Sequence, residues 1–318
     1  AKVWRDRAIR LNSTDDAYYQ GRAQVALAAV QRLIAQVAAN PTQDISAAFR
    51  QEFSDGVTAA QRAATISPND PGNWTALAQL YEAVMPFVSG ADQAALGGYE
   101  RAFAQDPTNS AIRFVQGRIY LAQADLLTLQ INQTRSGDER SRLEAVRKDL
   151  WQKAGEALKV SVGLKADYAQ AHFLLAQLAI RENNLAEAIK RTEATAVLAP
   201  LDIGVAFQMG LLYYRADRLD NAKREFERAI LLNDNYSNAR YFLGLIWDRK
   251  GDKDAALSQF QKIAALNSNN EEVARIIANL MARKSALDGI APPAPAPETR
   301  KEAPVREQEE GERPLRRR

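Results

Sequence analysis

The sequence predicts an all-α solenoid of antiparallel helix pairs, with two extended helical hairpins and a disordered C-terminal tail. Three observations predict it. First, a 34-residue unit recurs without a gap over 169–202, 203–236 and 237–270, and a fixed period of this length marks a stacked array. Second, small and bulky residues alternate within the unit at helical spacing. Its eighth residue reads Ala176, Gly210, Gly244, its eleventh Ala179, Tyr213, Trp247, its twentieth Ala188, Ala222, Ala256, and its twenty-fourth Thr192, Phe226, Phe260. Small residues where two helices must meet, bulky ones a turn away and a polar break between describe a helix pair that buries its apolar face only by stacking on neighbours. Third, the longer units upstream keep the helical period through their inserted residues instead of becoming loop-like.

Taken in order, residues 1–15 fit the second helix of a truncated repeat, with Ala8 and Leu11 at the closing positions. No first helix precedes them, so the chain is expected to be a piece of a longer protein. Residues 16–70 form a long unit: Tyr19, Ala23, Ala26, Val30, Leu33 and Val37 on one arm, a break at Asn40-Pro41, and Ile45, Phe49 and Phe53 on the other. In 71–109 Pro86 ends the first helix and Asp92 is placed to cap the second. Residues 110–168 carry the longest insertion. The seam Tyr120, Ala124, Leu127, Ile131 runs at spacings of four and three, and Leu143, Val146, Leu150 answer it. The helices themselves have therefore grown, and at 1.5 Å per residue the hairpin should overhang by about 18 Å. After the three regular units, Val273, Ile276, Ile277 and Leu280 predict a capping helix over 271–287. Residues 288–318 start with a proline-rich run and continue with charge and little to bury, the composition of a disordered tail.

Trp74, Leu77, Ala78 and Tyr81, followed by Ala95, Tyr99, Ala102 and Pro107, resemble the signature of the tetratricopeptide repeat family. The resemblance implies a right-handed superhelix whose first helices line a concave groove, with the fifth residue of each unit pointing into it. Those residues are Phe114, Phe173, Phe207 and Tyr241, and the thirteenth residues are Arg181, Arg215 and Arg249. Gln170, Gln177 and Asn238 complete the candidate groove. An aromatic row beside a guanidinium row suits an extended peptide with acidic or carboxy-terminal groups, or a sugar ring stacked on an aromatic face. Such residues are also common in the repeat's own consensus, so packing and solubility are the competing account of the same row. The lysine and asparagine set with which related proteins clamp a terminal carboxylate is absent.

Composition excludes several classes. With 42 Lys+Arg against 39 Asp+Glu the net charge is +3, too small for the marked basic face that nucleic acid requires. No stretch approaches a membrane span of about 18 apolar residues. With no cysteine, disulfides and thiol catalysis are absent. The single histidine, His172, holds the fourth position of a first helix, a packing position, and cannot build a zinc site alone. No phosphate-binding loop or dinucleotide fingerprint is present. Neither a cofactor, a metal site nor an enzymatic activity is expected; the expected partner is a protein or peptide, with a glycan as the alternative.

A narrower resemblance rests on Asn73-Trp74 through Tyr99-Glu100-Arg101-Ala102, on Tyr120-Leu121-Ala122-Gln123-Ala124, on Asp167 through Ala176, and on Tyr236 through Gly244. These runs are similar to the repeat region that follows the membrane part of bacterial O-antigen ligase and polymerase-like proteins. The resemblance implies a scaffold at the extracytoplasmic face of the bacterial cytoplasmic membrane, linked to cell-surface glycan assembly, or a saccharide-recognition module serving it; without that parent, a cytoplasmic place is the expectation.

Overall fold

The computed structural model describes residue 9, residues 12–40, residue 42 and residues 44–291. The first eleven residues of the expected truncated repeat, apart from Ile9, and the tail from 292 onward lie outside the described residues, as do Ala8 and Leu11. Thirteen helices and no strand are present among the described residues, so the all-α expectation holds. They are α1 (Asp16–Ala39), α2 (Ser46–Ile66), α3 (Pro71–Ala83), α4 (Ala91–Gln105), α5 (Ser110–Gln133), α6 (Gly137–Leu164), α7 (Ala169–Arg181), α8 (Leu185–Leu198), α9 (Ile203–Arg215), α10 (Leu219–Leu232), α11 (Ser237–Arg249), α12 (Lys253–Leu266) and α13 (Glu271–Met281). The chain forms two compact units, one up to Lys165 and one from Ala166.

In the second unit the helix pairs α7/α8, α9/α10 and α11/α12 repeat with first helices of 13 residues and second helices of 14. Each second helix also packs on the next first helix, up to α13. One continuous apolar core results, holding Ala188, Ala222 and Ala256 beside Phe226 and Phe260, all fully buried. Its tightest points are at Gly210 and Gly244. A Cβ on Gly210 would stand 2.5 Å from the Phe226 ring, and one on Gly244 2.6 Å from that of Phe260. Glycine at the eighth position is therefore what admits an aromatic ring at the twenty-fourth.

The first unit contains both extended hairpins. α1 and α5 are each 24 residues, against 13 for α3, and their partners α2 and α6 are 21 and 28, against 15 for α4. The long helices keep the close approach used elsewhere: a Cβ on Gly117 would lie 2.6 Å from Leu158, and one on Gly56 2.7 Å from Ala26. Buried Ala124, Ile131 and Leu158 lie along the α5/α6 hairpin. Val146, expected on this seam, is instead 50% exposed.

Two local expectations are corrected. Asp92 does not cap α4; Gly90, at φ 76°, is the cap residue and offers no side chain, while the Asp92 carboxylate accepts a hydrogen bond from Gln123. The helix starts two residues earlier than an Asp92 cap requires, because glycine turns the chain through the left-handed region cheaply. The final helix ends at Met281, six residues short of 287, where Arg283 enters the left-handed region at φ 58°. Ala286 then folds back into the core, fully buried.

Candidate functional site

The first helices of the second unit end in one device repeated at the 34-residue period. The fifteenth residue of each unit has positive φ: Asn183 at 54°, Asp217 at 57° and Gly251 at 86°. These are the residue types that tolerate a left-handed conformation. Two crossed backbone bonds close each terminus: Asn184 N–H to Ala179 O and Asn183 N–H to Ile180 O, with matching pairs at Arg218/Asp217 and Asp252/Gly251. The thirteenth-position arginine then reaches back to the fifteenth residue of the preceding unit. Arg215 Nη2 donates to Asn183 Oδ1 at 3.3 Å, and Arg249 Nη2 to Asp217 Oδ1 at 2.7 Å. Arg249 also lies 5.7 Å from the centre of the Tyr214 ring. Arg181 Nη1 contacts Gln177 Oε1 at 3.5 Å. Part of the guanidinium row is thus spent on joining successive repeats.

The aromatic row is divided. Phe173 is 4% exposed, Phe207 8% and, in the first unit, Phe114 8%. Phe207 packs against Phe226, Tyr236 and Phe242 with ring centres 5.3–6.0 Å apart, so its faces meet protein. The resemblance pointed these rings into a groove; in this chain Phe207 is taken up by the aromatic twenty-fourth residue of its unit and by the next first helix, and Phe173 and Phe114 are buried as well. Tyr241 is half-buried, with its hydroxyl donating to Glu272 Oε1 at 2.7 Å and its ring edge-on to Phe242 and Phe260. Gln170 and Gln177 are half-buried and Asn238 is exposed. The first-helix face of this unit is therefore polar and basic, with one accessible aromatic edge.

His172 has a structural explanation that the sequence alone did not offer. Its Nε2 lies 3.0 Å from the Ala166 carbonyl, six residues back, and a carbonyl only accepts, so Nε2 carries the proton. Trp74 Nε1 donates to Pro68 O at 2.7 Å and Arg240 Nε to Asp234 O at 2.9 Å, also six residues back. All three occupy the fourth position of their unit. Three unlike side chains share one N–H donor that ties a first helix to the turn entering it. No group of three or more His, Cys, Asp or Glu side chains that could hold a metal is found among the described residues. No described helix is long and apolar enough to cross a membrane.

Three phenols, on α4, α9 and α11, are held above their ordinary range. Burial, with help from the hydrogen bond to Glu193 at 2.7 Å, pushes Tyr213 up to about 12. Burial and the bond to Glu272 likewise raise Tyr241, and burial with the neighbouring Glu82 raises Tyr99.

Residues 207–271 match the model of the family described as Tetratricopeptide repeat. That stretch, from α9 to the start of α13, has the repeat of that family. No curated protein matches the chain. Among solved structures, it is similar to YrrB, described as a TPR protein with an unusual peptide-binding site, at 15% identity and a TM-score of 0.52, over 69% of this chain and 97% of that one. It is also similar to MamA, at 20% identity and a TM-score of 0.48 over 63% and 96% of the two chains. A third is pilF of Pseudomonas aeruginosa, at 17% and 0.46 over 83% and 100%.

A phenol with a raised folded pKa keeps its proton longer than in the unfolded chain, where it titrates near about 10. Between about 10 and about 12 the unfolded state then binds fewer protons, so stability is intact below that window and falls as pH rises through it. The urea midpoint should decline across the window, and Tyr213→Phe should make the decline shallower. An equally steep decline in the variant would remove Tyr213 from the account.

Proposed function

We propose that the chain is a non-catalytic scaffold that holds a protein or peptide partner on the first-helix face of its second unit. One observation carries the reading. Arg215 is exposed and spends one N–H group on the neutral amide of Asn183, so its charge is not cancelled by that partner and the other donors of its planar fork are available to a carboxylate. Arg249, next in the row, is partly neutralised by Asp217. Half-buried Gln170 and Gln177, exposed Asn238 and the edge of Tyr241 add hydrogen-bonding groups to the same helices. The chemistry favours an extended peptide with acidic side chains or a free carboxy terminus. YrrB, described as having a peptide-binding site, shares the fold. Direct saccharide recognition would have to rely on Tyr241, since Phe173 and Phe207 are taken up in packing.

Fluorescence polarisation with labelled acidic and free-carboxylate peptides tests the reading. Arg215→Ala should weaken the best peptide tenfold or more, about 1.4 kcal/mol. The reading fails if no peptide binds, or if Arg215→Ala leaves the affinity unchanged.

On the resemblance to the repeat region of bacterial O-antigen ligase and polymerase-like proteins, we further propose that the scaffold works at the extracytoplasmic face of the cytoplasmic membrane as an accessory to glycan assembly. Protease added to spheroplasts should digest this region of the native protein while a cytoplasmic marker survives. Protection of both would overturn that placement.

A further inference from the structure

The first unit has a gap in its stack. α1, α3 and α5 are the first helices of consecutive pairs, and α1 and α5 outrun α3 by eleven residues, about 16 Å at 1.5 Å per residue. Their partners α2 and α6 outrun α4 as well. Two long hairpins therefore stand on either side of a short one, and above it lies a slot one helix pair wide. Its floor is the α3–α4 connection, where Phe87 is 60% exposed. One wall is the upper part of α1/α2, where Ile34, Phe49 and Phe87 line a cleft of about 300 Å³. The other wall is α5. Ile112, Val115 and Ile119 pack this helix against the α3/α4 pair, and the same stripe at helical spacing continues above the pair as Leu126 and Leu129, 62% and 59% exposed. Apolar side chains thus look into the slot from both walls and the floor.

We propose that the α5/α6 hairpin of a second copy fills this slot, giving a twofold dimer of interlocked hairpins. The fit follows from the repeat itself. A slot left by one shortened pair is one pair thick, and so is the hairpin offered to it. The arrangement also closes: with each α5/α6 hairpin inserted between the two hairpins of the other copy, the layers run long hairpin, inserted hairpin, inserted hairpin, long hairpin, and no slot is left open. The two inserted hairpins meet across the twofold axis through their own slot faces, so Leu126 and Leu129 pack on their counterparts. With helices about 10 Å across, three facing layers over the overhang bury about 1,500 Å² in total, within the range of stable interfaces. The dimer surface lies in the first unit and does not involve Arg215 or Arg249, so it stands or falls apart from the peptide reading.

Light scattering of the full chain should give about twice 35.2 kDa at micromolar concentration, and Leu126→Glu with Leu129→Glu should return it to monomer with its helical circular dichroism intact. Because the chain has no cysteine, a Leu126→Cys chain offers a second readout that needs no loss of folding: it should crosslink to itself on mild oxidation, whereas Leu231→Cys, 85% exposed in the other unit, should not. A monomeric parent chain overturns the proposal. So does a dimer that survives both glutamates, or equal crosslinking at the two cysteines.

Discussion

Everything in this chain depends on how closely the two helices of a pair can approach. At Gly210 and Gly244 the backbone of the first helix lies against the ring of Phe226 or Phe260, with no room for a single added carbon. That contact brings the pair close enough for the fully buried alanines Ala222 and Ala256 to fill what is left. The distance within a pair fixes the surface it shows to the next one, so an error at the eighth position would propagate into the neighbouring contact. The first unit meets the same requirement with other residues: Gly117 against Leu158, Gly56 against Ala26, and Gly98 against Ala78. What recurs is a glycine at the point of closest approach, met by a ring or a leucine in some pairs and by alanine in others.

Around this contact the ends of the helices are built to stack. Left-handed Asn183, Asp217 and Gly251 stop each first helix at the same point, and Arg215 and Arg249, each two residues before a stop, tie their units to the previous one. Trp74, His172 and Arg240 hold the other end to the turn before it. Exposed pairs such as Arg249 with Asp217 add little stability individually. Their value is in register, because each bond forms only when successive repeats sit at the same offset.

The fold was legible because its information is periodic. Ala188, Ala222 and Ala256 recur at one interval whatever lies between them, and the seam through Ala124 and Ile131 continued through the insertion, which marked longer helices rather than a loop. The sequence reading found only a polar break between the helices; that Asn183, Asp217 and Gly251 stop them, and that arginines one unit on reach back to the first two, emerged from the structure. The candidate site was less legible. Phe207 stands at a position that faces a groove in related repeats, yet its surroundings are decided by Phe226 of α10 and by Tyr236 and Phe242 at the start and middle of α11. Asp92 resembled a helix cap by type, but Gly90 started the helix first. Side-chain direction depends on contacts made across the stack, and one unit's sequence does not contain them.

The central claim, that paired volumes at the eighth and twenty-fourth positions set the spacing of each helix pair, is tested where the chain departs from its own rule. The pair α7/α8 has Ala176 with Thr192 in place of glycine with phenylalanine. A double-mutant cycle read by urea denaturation, with Thr192→Phe, Ala176→Gly and both together, measures whether the two volumes answer each other. The account predicts that Thr192→Phe alone destabilises by about 1–3 kcal/mol through overpacking, and that adding Ala176→Gly recovers most of the loss, a favourable coupling of at least about 1 kcal/mol. Strictly additive effects would show that the two positions do not set each other's size, and would contradict it.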